Sequence, residues 1–312
     1  MSTAPAPITA KMRLGDLLFS RSALFAGSMI LVTLAAVAVF LIVQSIPALV
    51  ATNDDASILP TNFWAYVGPL VFGTVWAAAL ALLMAVPVSI GIALFISHYA
   101  PRRLASVLGY VVDLLAAVPS VVFGLWGIGV LAPAIVPVYE WLNRNLGWIP
   151  LFGGTVSATG RTILTAAVVL AVMVLPIMTA ICREVFLQTP VLHEEAALAL
   201  GATRWEMIRM SVLPFGRPGI ISASVLGLGR ALGETMAVAM VLSASQVISF
   251  ELLTSVNPTT IAANIALSFP EAYGLNVNVL IATGLILFVV TFAVNAVARW
   301  IVSRRKEFSG AN

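Results

Sequence analysis

The chain has 312 residues, of which 61% are hydrophobic and 9% are charged, and its mean hydropathy is +1.05. Soluble domains carry about 25% charged residues, so this composition excludes a soluble globular protein and indicates an all-α polytopic membrane protein. The formal net charge of +3 does not indicate nucleic-acid binding, because the basic residues lie at the ends of apolar runs and not among aromatic residues on one surface.

Residues that could carry chemistry are few. A single cysteine, Cys182, excludes an internal disulfide, and the histidines His98 and His193 lie too far apart in sequence for a metal-ligand spacing. We interpret both histidines as surface residues. Neither lysine, Lys11 or Lys306, follows a glycine, so the chain has no Walker A phosphate loop. We therefore expect no metal, no cofactor and no enzymatic activity, and we assign any ATP hydrolysis to a partner chain.

The N-terminal part combines a tail with the first predicted span. Residues 1–22 are predicted to form a cytoplasmic tail, disordered over 1–10, with an amphipathic segment over 11–21 on the membrane surface. The run 23–46 has only Gln44 as a strongly polar residue and is long enough to cross a hydrocarbon core of about 30 Å. Because it exceeds the roughly 7 to 15 residues of a signal-peptide core, we interpret it as an uncleaved anchor.

Two further apolar runs follow in the first half of the chain. The second span is predicted over 69–97, with a kink at Pro87. The third run, 106–136, is interrupted by the segment 118–120 and then contains several glycines. Such an interruption occurs where a water-filled cavity or neighbouring helices satisfy the freed backbone groups, and both interpretations are open. Residues 139–160 place aromatic residues beside polar ones, which predicts an interfacial helix on the outer side.

The second half contains three more predicted spans. They are 162–181, 219–242 and 277–297. A turn over 214–218 is predicted before the fifth span, and Asn257 is predicted to cap a short helix over 259–267 before the sixth. The chain is therefore predicted to be one membrane domain of six helices over 23–302, followed by a cytoplasmic tail over 303–312.

The distribution of lysine and arginine predicts the orientation in the membrane. All of these residues except Arg144, Arg161 and Arg230 lie in the N-terminal segment, the second and fourth connections or the C-terminal tail. By the positive-inside rule, those segments face the cytoplasm. Both termini and the connection between the fourth and fifth spans are therefore predicted to be cytoplasmic, in a bacterial plasma membrane.

The connection over 190–214 contains two short helical segments separated by Gly201, which is free to adopt a positive φ. Thr203 is predicted to cap the second segment, with Glu206 completing a capping box. Exposed alanine, leucine and tryptophan side chains on such a compact element require a partner surface. The residues expected to contact that partner are Glu194, Glu195, Ala196, Ala197, Gly201, Ala202, Thr203, Arg204 and Trp205.

This connection also matches a known pattern. The Glu-Ala-Ala tripeptide 195–197, followed by Gly201 and the Leu-Pro pair 213–214, resembles the EAA loop of ABC importer permeases. The resemblance implies a type I, MetI-like permease fold and a coupling helix that sits in a cleft of an ATP-hydrolysing subunit. Ser211 departs from the pattern, because the family usually has isoleucine there, and we expect weaker packing at that position. An ordinary amphipathic loop is the alternative interpretation.

One basic residue, Arg230, lies inside a predicted span. A central arginine costs roughly 2.5 to 3.5 kcal/mol on insertion scales, so it requires a reason. Glu234 follows four residues later and is predicted on the same helical face, which Gly227, Gly229 and Gly233 keep open. The guanidinium is a rigid fork of donors suited to an oxyanion, and Glu234 supplies the opposition that release requires. A self-neutralising ion pair that holds helices together is the alternative.

The runs 229–238 (GRALGETMAV) and 118–127 (VPSVVFGLWG) closely resemble those of the phosphate-specific permeases of ABC importers. The resemblance implies that Arg230 and Glu234 are the intramembrane charges on the path of inorganic phosphate. It also implies a second, homologous permease, a dimeric ATPase and an extracytoplasmic phosphate-binding protein, which we expect at the outer loops. Phosphate near neutral pH carries a proton that it can donate to a carboxylate, whereas sulfate does not, so Glu234 is expected to favour phosphate.

Other functions are open from the sequence alone. Within ABC importers, the alternatives are the sister permease of the same system and a permease for phosphonate, sulfate or molybdate. An ion-coupled secondary anion transporter that uses Arg230 and Glu234 without ATP leaves the connection 190–214 unexplained. An intramembrane enzyme is the weakest alternative, since no histidine-rich, paired-carboxylate or Ser-Lys arrangement lies at membrane depth.

Overall fold

The computed structural model describes residues 14–52 and 54–306 of the chain. They form the helices α1 Leu14–Leu49, α2 Phe63–Leu94, α3 Arg102–Ala116, α4 Ser120–Trp126, α5 Ala132–Leu146, α6 Ile163–Leu187, α7 Val191–Ala199, α8 Arg204–Met207, α9 Leu213–Leu232, α10 Met236–Val241, α11 Ile261–Ser268 and α12 Leu275–Lys306. Short π-helical segments cover Phe95–Tyr99, Gly127–Leu131 and Ile208–Val212, and 3-10 turns cover Pro150–Phe152 and Phe269–Glu271. The two-residue strands β1, Ala244–Ser245, and β2, Asn257–Pro258, pair in parallel. The predicted disordered segment 1–10 and residues 307–312 of the predicted C-terminal tail lie outside the described residues.

Within the described residues, six helical segments are long and apolar enough to cross a membrane. They are Leu18–Leu49, Phe63–Tyr99, Ser120–Leu146, Ile163–Leu187, Arg204–Leu232 and Leu275–Trp300. This confirms the predicted number of spans and the all-α fold. The first helix begins earlier than expected, because α1 runs unbroken from Leu14. The described part of segment 11–21, predicted as a separate surface element, is therefore continuous with the first span.

The third span begins later than predicted. The run 106–136 is not one interrupted span, because α3 is a separate helix that ends before the break at Pro119, and the span starts at α4. The interfacial helix predicted over 139–160 is also wrong. Tyr139 is fully buried in α5, and its hydroxyl lies 2.7 Å from the Thr165 Oγ1 of α6. The tyrosine that suggested an interface therefore joins the third span to the fourth.

The fifth span also differs from the prediction. The turn predicted over 214–218 does not form, and the helix runs from Arg204 through α8 and a π-helical segment to the end of α9. Pro214 lies just after the π-helical segment Ile208–Val212, where the regular helical hydrogen-bond pattern is already shifted, so its missing N–H is tolerated within the continuous helix. Gly233 then ends α9, and α10 is a separate helix. The predicted span 219–242 is therefore two helices with a break between them.

The connection between α10 and α12 is attached to the second span. Thr260 caps α11, so the prediction that Asn257 is the cap is wrong; Asn257 belongs to β2 instead. The Ile261 N–H donates to the Thr74 Oγ1 of α2 at 2.9 Å. This hydrogen bond uses a helix-terminal donor that has no partner within α11 itself.

The fourth span, α6, lies at the centre of the bundle. In its most apolar 18-residue stretch, 67% of the residues are buried, compared with 33% or less in the corresponding stretches of the other spans. Small buried residues of α2, among them Ala77, Ala78 and Ala81, share its core cluster. Small residues allow helices in a membrane to approach closely. By contrast, α1 is peripheral and is attached to α12, where the Asn278 Nδ2 donates to the Gln44 carbonyl at 2.8 Å.

Candidate functional site

The loop between α6 and α9 folds as the sequence predicts. Gly201 has a φ of +85°, a left-handed conformation that glycine adopts without a Cβ penalty. Thr203 caps α8: the Glu206 N–H donates to the Thr203 Oγ1 at 3.3 Å, and the Thr203 N–H donates to the Glu206 Oε2 at 2.8 Å. This capping box satisfies two donors that a helix start otherwise leaves free. The loop is therefore an internally bonded element.

The inner side of this loop is anchored to the bundle. Ala197, Met207 and Ile208 are buried in one cluster with Cys182 and Phe186 of α6. These apolar contacts cover one face of the loop with the end of the fourth span. The loop is therefore fixed to the end of α6 by packed side chains.

Ser211, which departs from the EAA pattern, makes a specific contact in the structure. Its Oγ donates a hydrogen bond to the His193 carbonyl of α7 at 3.2 Å. The bond ties the π-helical segment that follows α8 back to α7. At this position a hydrogen bond between the two halves of the loop stands where the family usually has an apolar side chain.

The outer side of the loop carries large apolar side chains. Leu200 is 90% exposed and Trp205 is 55% exposed. Among the residues predicted to contact a partner, Ala197 is buried and Glu194 and Ala202 are half-buried, and the others are exposed: Glu195, Ala196, Gly201, Thr203, Arg204 and Trp205. A fixed element with exposed apolar residues provides a surface suited to a partner protein.

His98 contacts this loop, so the interpretation of His98 as a surface residue is wrong. Its side chain is only 9% exposed, and its Nε2 lies 3.4 Å from the Glu194 Oε1 of α7. Its Nδ1 lies 2.7 Å from the Ser97 Oγ. The contact joins the end of the second span to the loop. No sequence spacing indicates it, because 96 positions separate the two residues.

The two charged residues of the fifth span lie at its break. Arg230 is in the last turn of α9, where the helix C-terminus favours a cation. Glu234 follows Gly233, and its Oε1 accepts the Ala237 N–H of α10 at 3.0 Å. The prediction that both side chains share one continuous helical face is therefore wrong. Among the described residues, no ion pair joins them, so the self-neutralising alternative is not formed either.

Arg230 has unused hydrogen-bonding capacity. Its Nε is buried and has no partner among the described residues. A Cβ added at the neighbouring Gly229 would meet nothing within 4 Å, whereas one at Gly227 would lie 2.7 Å from Val174 and 2.9 Å from Met178 of α6. Gly227 therefore allows close helix packing. The prediction that Gly227 keeps the face open is wrong. A guanidinium with an unpartnered donor can receive an oxyanion.

The segment 118–127 packs directly on α10, the second part of the broken span. A Cβ added at Gly124 would lie 3.0 Å from the Ala237 Cα of α10, and one at Gly127 would lie 2.7 Å from Val241. These glycines let α4 approach α10 closely. Of the two interpretations of the interrupted third run, the structure favours packing at these positions. The two sequence runs that carry the resemblance are therefore neighbours in space.

The fold and the site define a subunit of a membrane transport system. The family described as binding-protein-dependent transport system inner membrane component matches residues 85–307, a stretch that contains both the loop and the helix break. The chain belongs to this family. It is accordingly a multi-pass inner-membrane component of a transport system.

Similar proteins indicate which transport system the chain is related to. The phosphate transport system permease protein PstC 2 of Mycobacterium tuberculosis (strain ATCC 25618 / H37Rv) is 48% identical over 318 residues, which cover 96% of each chain. PstC of Mesorhizobium japonicum is 40% identical over 313 residues, which cover 96% of this chain and 94% of the relative. The chain is thus a homologue of the phosphate transport system permease protein PstC, as the two sequence runs indicate.

Solved structures confirm the fold. A bacterial ABC transporter involved in the import of the acidic polysaccharide alginate has a chain that matches with a TM-score of 0.60 and 19% identity, covering 94% of this chain and 99% of that one. The MetNI methionine ABC transporter in an inward-facing conformation matches with a TM-score of 0.50 and 17% identity, covering 77% and 94%. The fold is the type I, MetI-like permease fold, as predicted.

Proposed function

We propose that this chain is a transmembrane permease subunit of an ATP-driven importer for inorganic phosphate. It forms half of the translocation pathway, together with a second, homologous permease. A dimeric ATPase binds the loop between α6 and α9, and an extracytoplasmic phosphate-binding protein delivers the substrate on the opposite side. The names of the relatives, which match over 96% of this chain, support phosphate as the substrate.

The observation that carries the substrate assignment is the state of Arg230. Its side chain lies at the break of the fifth span, is partly buried, and has an unpartnered Nε. A buried donor without a partner costs about 1 to 3 kcal/mol, and a passing oxyanion removes that cost temporarily. Arginine suits this role because its planar fork matches two oxygens of one phosphate.

Glu234 provides the opposition that release of phosphate requires. Its carboxylate is 9% exposed and is held by the Ala237 N–H at the start of α10. A fixed negative charge near the guanidinium weakens anion binding, and transport requires a site from which the substrate can leave. The carboxylate also accepts a hydrogen bond from the hydroxyl group that phosphate retains near neutral pH and sulfate lacks, which favours phosphate over sulfate.

ATP hydrolysis in the partner drives the transport cycle through the loop. The ATPase dimer closes, the loop moves as one element, and α6 and α9 reorient the cavity around Arg230. The buried contacts of Met207 and Ile208 with α6 support transmission to the fourth span. The unbroken helix from Arg204 to Leu232 supports transmission to the charged break.

The orientation follows from the distribution of basic residues. Arg102 and Arg183 lie at the same end of the bundle as the loop, because both line one cavity with Ile96 and Ala100 at the end of the second span. Positively charged connections face the cytoplasm. The loop and both termini are therefore cytoplasmic, which is where a partner finds ATP, in a bacterial plasma membrane.

The assignment is tested with Arg230→Ala in the assembled transporter, measured as uptake of radioactive phosphate into proteoliposomes that contain the binding protein. Uptake is expected to fall by roughly 100-fold, because a hydrogen bond to a charged group contributes about 1.5 to 3 kcal/mol. Arg299→Ala, which removes an exposed arginine of α12, is the control and retains wild-type uptake. Normal uptake by Arg230→Ala in an intact complex contradicts the role of Arg230. If only a binding protein loaded with another oxyanion stimulates ATP hydrolysis, the assignment of phosphate as the substrate is contradicted.

A further inference from the structure

A cationic pocket lies at the end of the bundle that carries the loop. It has a volume of about 520 Å³ and is formed where the end of the second span, α3 and the end of α6 meet. Its charged lining residues are Arg102, Asp113 and Arg183. None of them belongs to the helix break at Arg230, so the function proposed above does not use this pocket.

Arg183 is positioned across the surface of α3. A Cβ added at Gly109 would clash with the guanidinium, so the absence of a side chain there makes room for it. The Arg183 Nη2 lies 3.7 Å from the Asp113 Oδ2, too far for a good hydrogen bond, and its Nε is buried without a partner among the described residues. Arg183 therefore lines the pocket with donors to spare, and with Arg102 and Asp113 the pocket carries a net charge of about one positive unit.

The helix α3 presents an apolar outer face beside this pocket. Its exposed residues include Val107 at 61%, Tyr110 at 72% and Leu114 at 60%. At about 1.5 Å per residue, a helix of this length reaches about 22 Å, which is shorter than a hydrocarbon core of about 30 Å. With arginines at its first turn and apolar side chains beyond, α3 has the distribution of an element whose first turn lies at the membrane surface.

We propose that this pocket binds the phosphodiester headgroup of an anionic membrane lipid. Arg183 and Arg102 donate to the phosphate oxygens, and the acyl chains lie along the outer face of α3. The net positive charge of the pocket matches the single negative charge of phosphatidylglycerol and disfavours a zwitterionic headgroup. The apolar face continuous with the pocket is what favours a lipid over a free anion.

The test uses the importer complex purified with this full chain, equilibrated in detergent with equal amounts of phosphatidylglycerol and phosphatidylcholine, and analysed by native mass spectrometry. The wild type is expected to retain phosphatidylglycerol selectively. Arg183→Gln and Arg102→Gln each reduce its retention by about fivefold. Arg102 is exposed, so its replacement removes charge without disturbing the packed core.

A matched control and a change of opposite sign sharpen the test. Arg103→Gln removes an exposed neighbouring charge that does not line the pocket and leaves lipid retention unchanged. Asp113→Asn removes the opposing carboxylate and increases retention. Equal retention by Arg102→Gln, Arg183→Gln and Arg103→Gln overturns the proposal. Retention of inorganic phosphate that depends on Arg102 and Arg183, with no retention of either lipid, also overturns it, in favour of a free-phosphate site.

Discussion

Two regions of the chain differ in which groups lack a partner. They are the loop between α6 and α9 and the break of the fifth span. In the loop, the Thr203 and Glu206 side chains cap each other's backbone N–H groups, while Leu200 and Trp205 are exposed. At the break, apolar residues such as Leu232 are buried, while the Arg230 Nε is buried and unpartnered. The loop therefore exposes apolar surface, whereas the break contains a hydrogen-bond donor without a partner.

This difference matches the two kinds of partner proposed for the chain, a protein and a small anion. Exposed apolar side chains on a fixed element gain free energy when another protein covers them, since apolar burial contributes about 25 cal/mol per Å². A guanidinium with free donors gains from a small anion that passes and leaves. Changes in the loop should therefore affect assembly with the ATPase, and changes at the break should affect selectivity with assembly intact.

The largest expected effect in the loop comes from Gly201→Val. No atom lies within 4 Å of an added Cβ, so the cost is the left-handed backbone and not a clash, about 1 to 2 kcal/mol for an ordinary residue and more for a β-branched one. We expect phosphate uptake and co-purification of the ATPase to fall by about tenfold or more. Gly201→Asn, which tolerates this conformation, is the control and retains most of both. Full assembly of the valine variant would show that the glycine conformation is not required.

A smaller effect is expected at the break from Glu234→Gln. Glutamine retains an oxygen that can accept the Ala237 N–H, so the start of α10 is preserved while the charge is lost. We expect phosphate uptake to fall by about tenfold near neutral pH, with a changed pH profile and weaker discrimination against sulfate. Transport assays across pH measure this change, with Glu271→Gln, which alters an exposed glutamate between α11 and α12, as the control. The same rate and selectivity as the wild type would remove Glu234 from the pathway.

The smallest effect is expected from His98→Gln, which alters the link between the second span and the loop. The contact with Glu194 is 3.4 Å long, and a partly buried pair of this kind contributes on the order of 1 kcal/mol or less. We expect ATP-coupled uptake to fall by about twofold to fivefold. Non-additivity with Glu194→Gln in a double-mutant cycle identifies the pair. His193→Gln, which changes an exposed histidine of α7, is the control, and strictly additive effects at His98 and Glu194 would exclude coupling between them.

The loop could be predicted residue by residue because its signals are local. A glycine at a helix end and a Thr-x-x-Glu capping box act over three or four residues, and Gly201, Thr203 and Glu206 adopt the predicted geometry. The His98 contact is the opposite case. It depends on how two distant helices pack, and no local pattern encodes it.

The fifth span was harder to predict because two local signals conflicted with the apolar pattern. Pro214 and Pro218 suggested a turn, yet Pro214 lies in the first turn of α9, and the helix also continues through Pro218. The true stop was indicated by Arg230 in the last turn followed by Gly233, which is the usual pattern of a helix C-terminus. The sequence is hydrophobic on both sides of that stop, so it predicts one continuous helix. The prediction that Arg230 and Glu234 share a helical face depends on that continuous helix.

Tyr139 illustrates a similar conflict in the third span. An aromatic residue beside polar neighbours indicates a membrane interface on average. In this chain its hydroxyl lies within hydrogen-bonding distance of Thr165 inside the bundle, so its polar end is satisfied by another helix and not by water. Tertiary packing decided between the two environments, and the sequence near Tyr139 is compatible with both.

The length of the unbroken helix from Arg204 to Leu232 determines how far one end moves when the other end tilts. Its 29 residues extend about 43 Å at 1.5 Å per residue, so a tilt of about 5° at the end near Trp205 displaces the opposite tip by about 4 Å. Such a displacement exceeds the length of a hydrogen bond. In the proposed transport cycle, a slight rotation of this helix is thus enough to separate the Arg230 guanidinium from a bound anion.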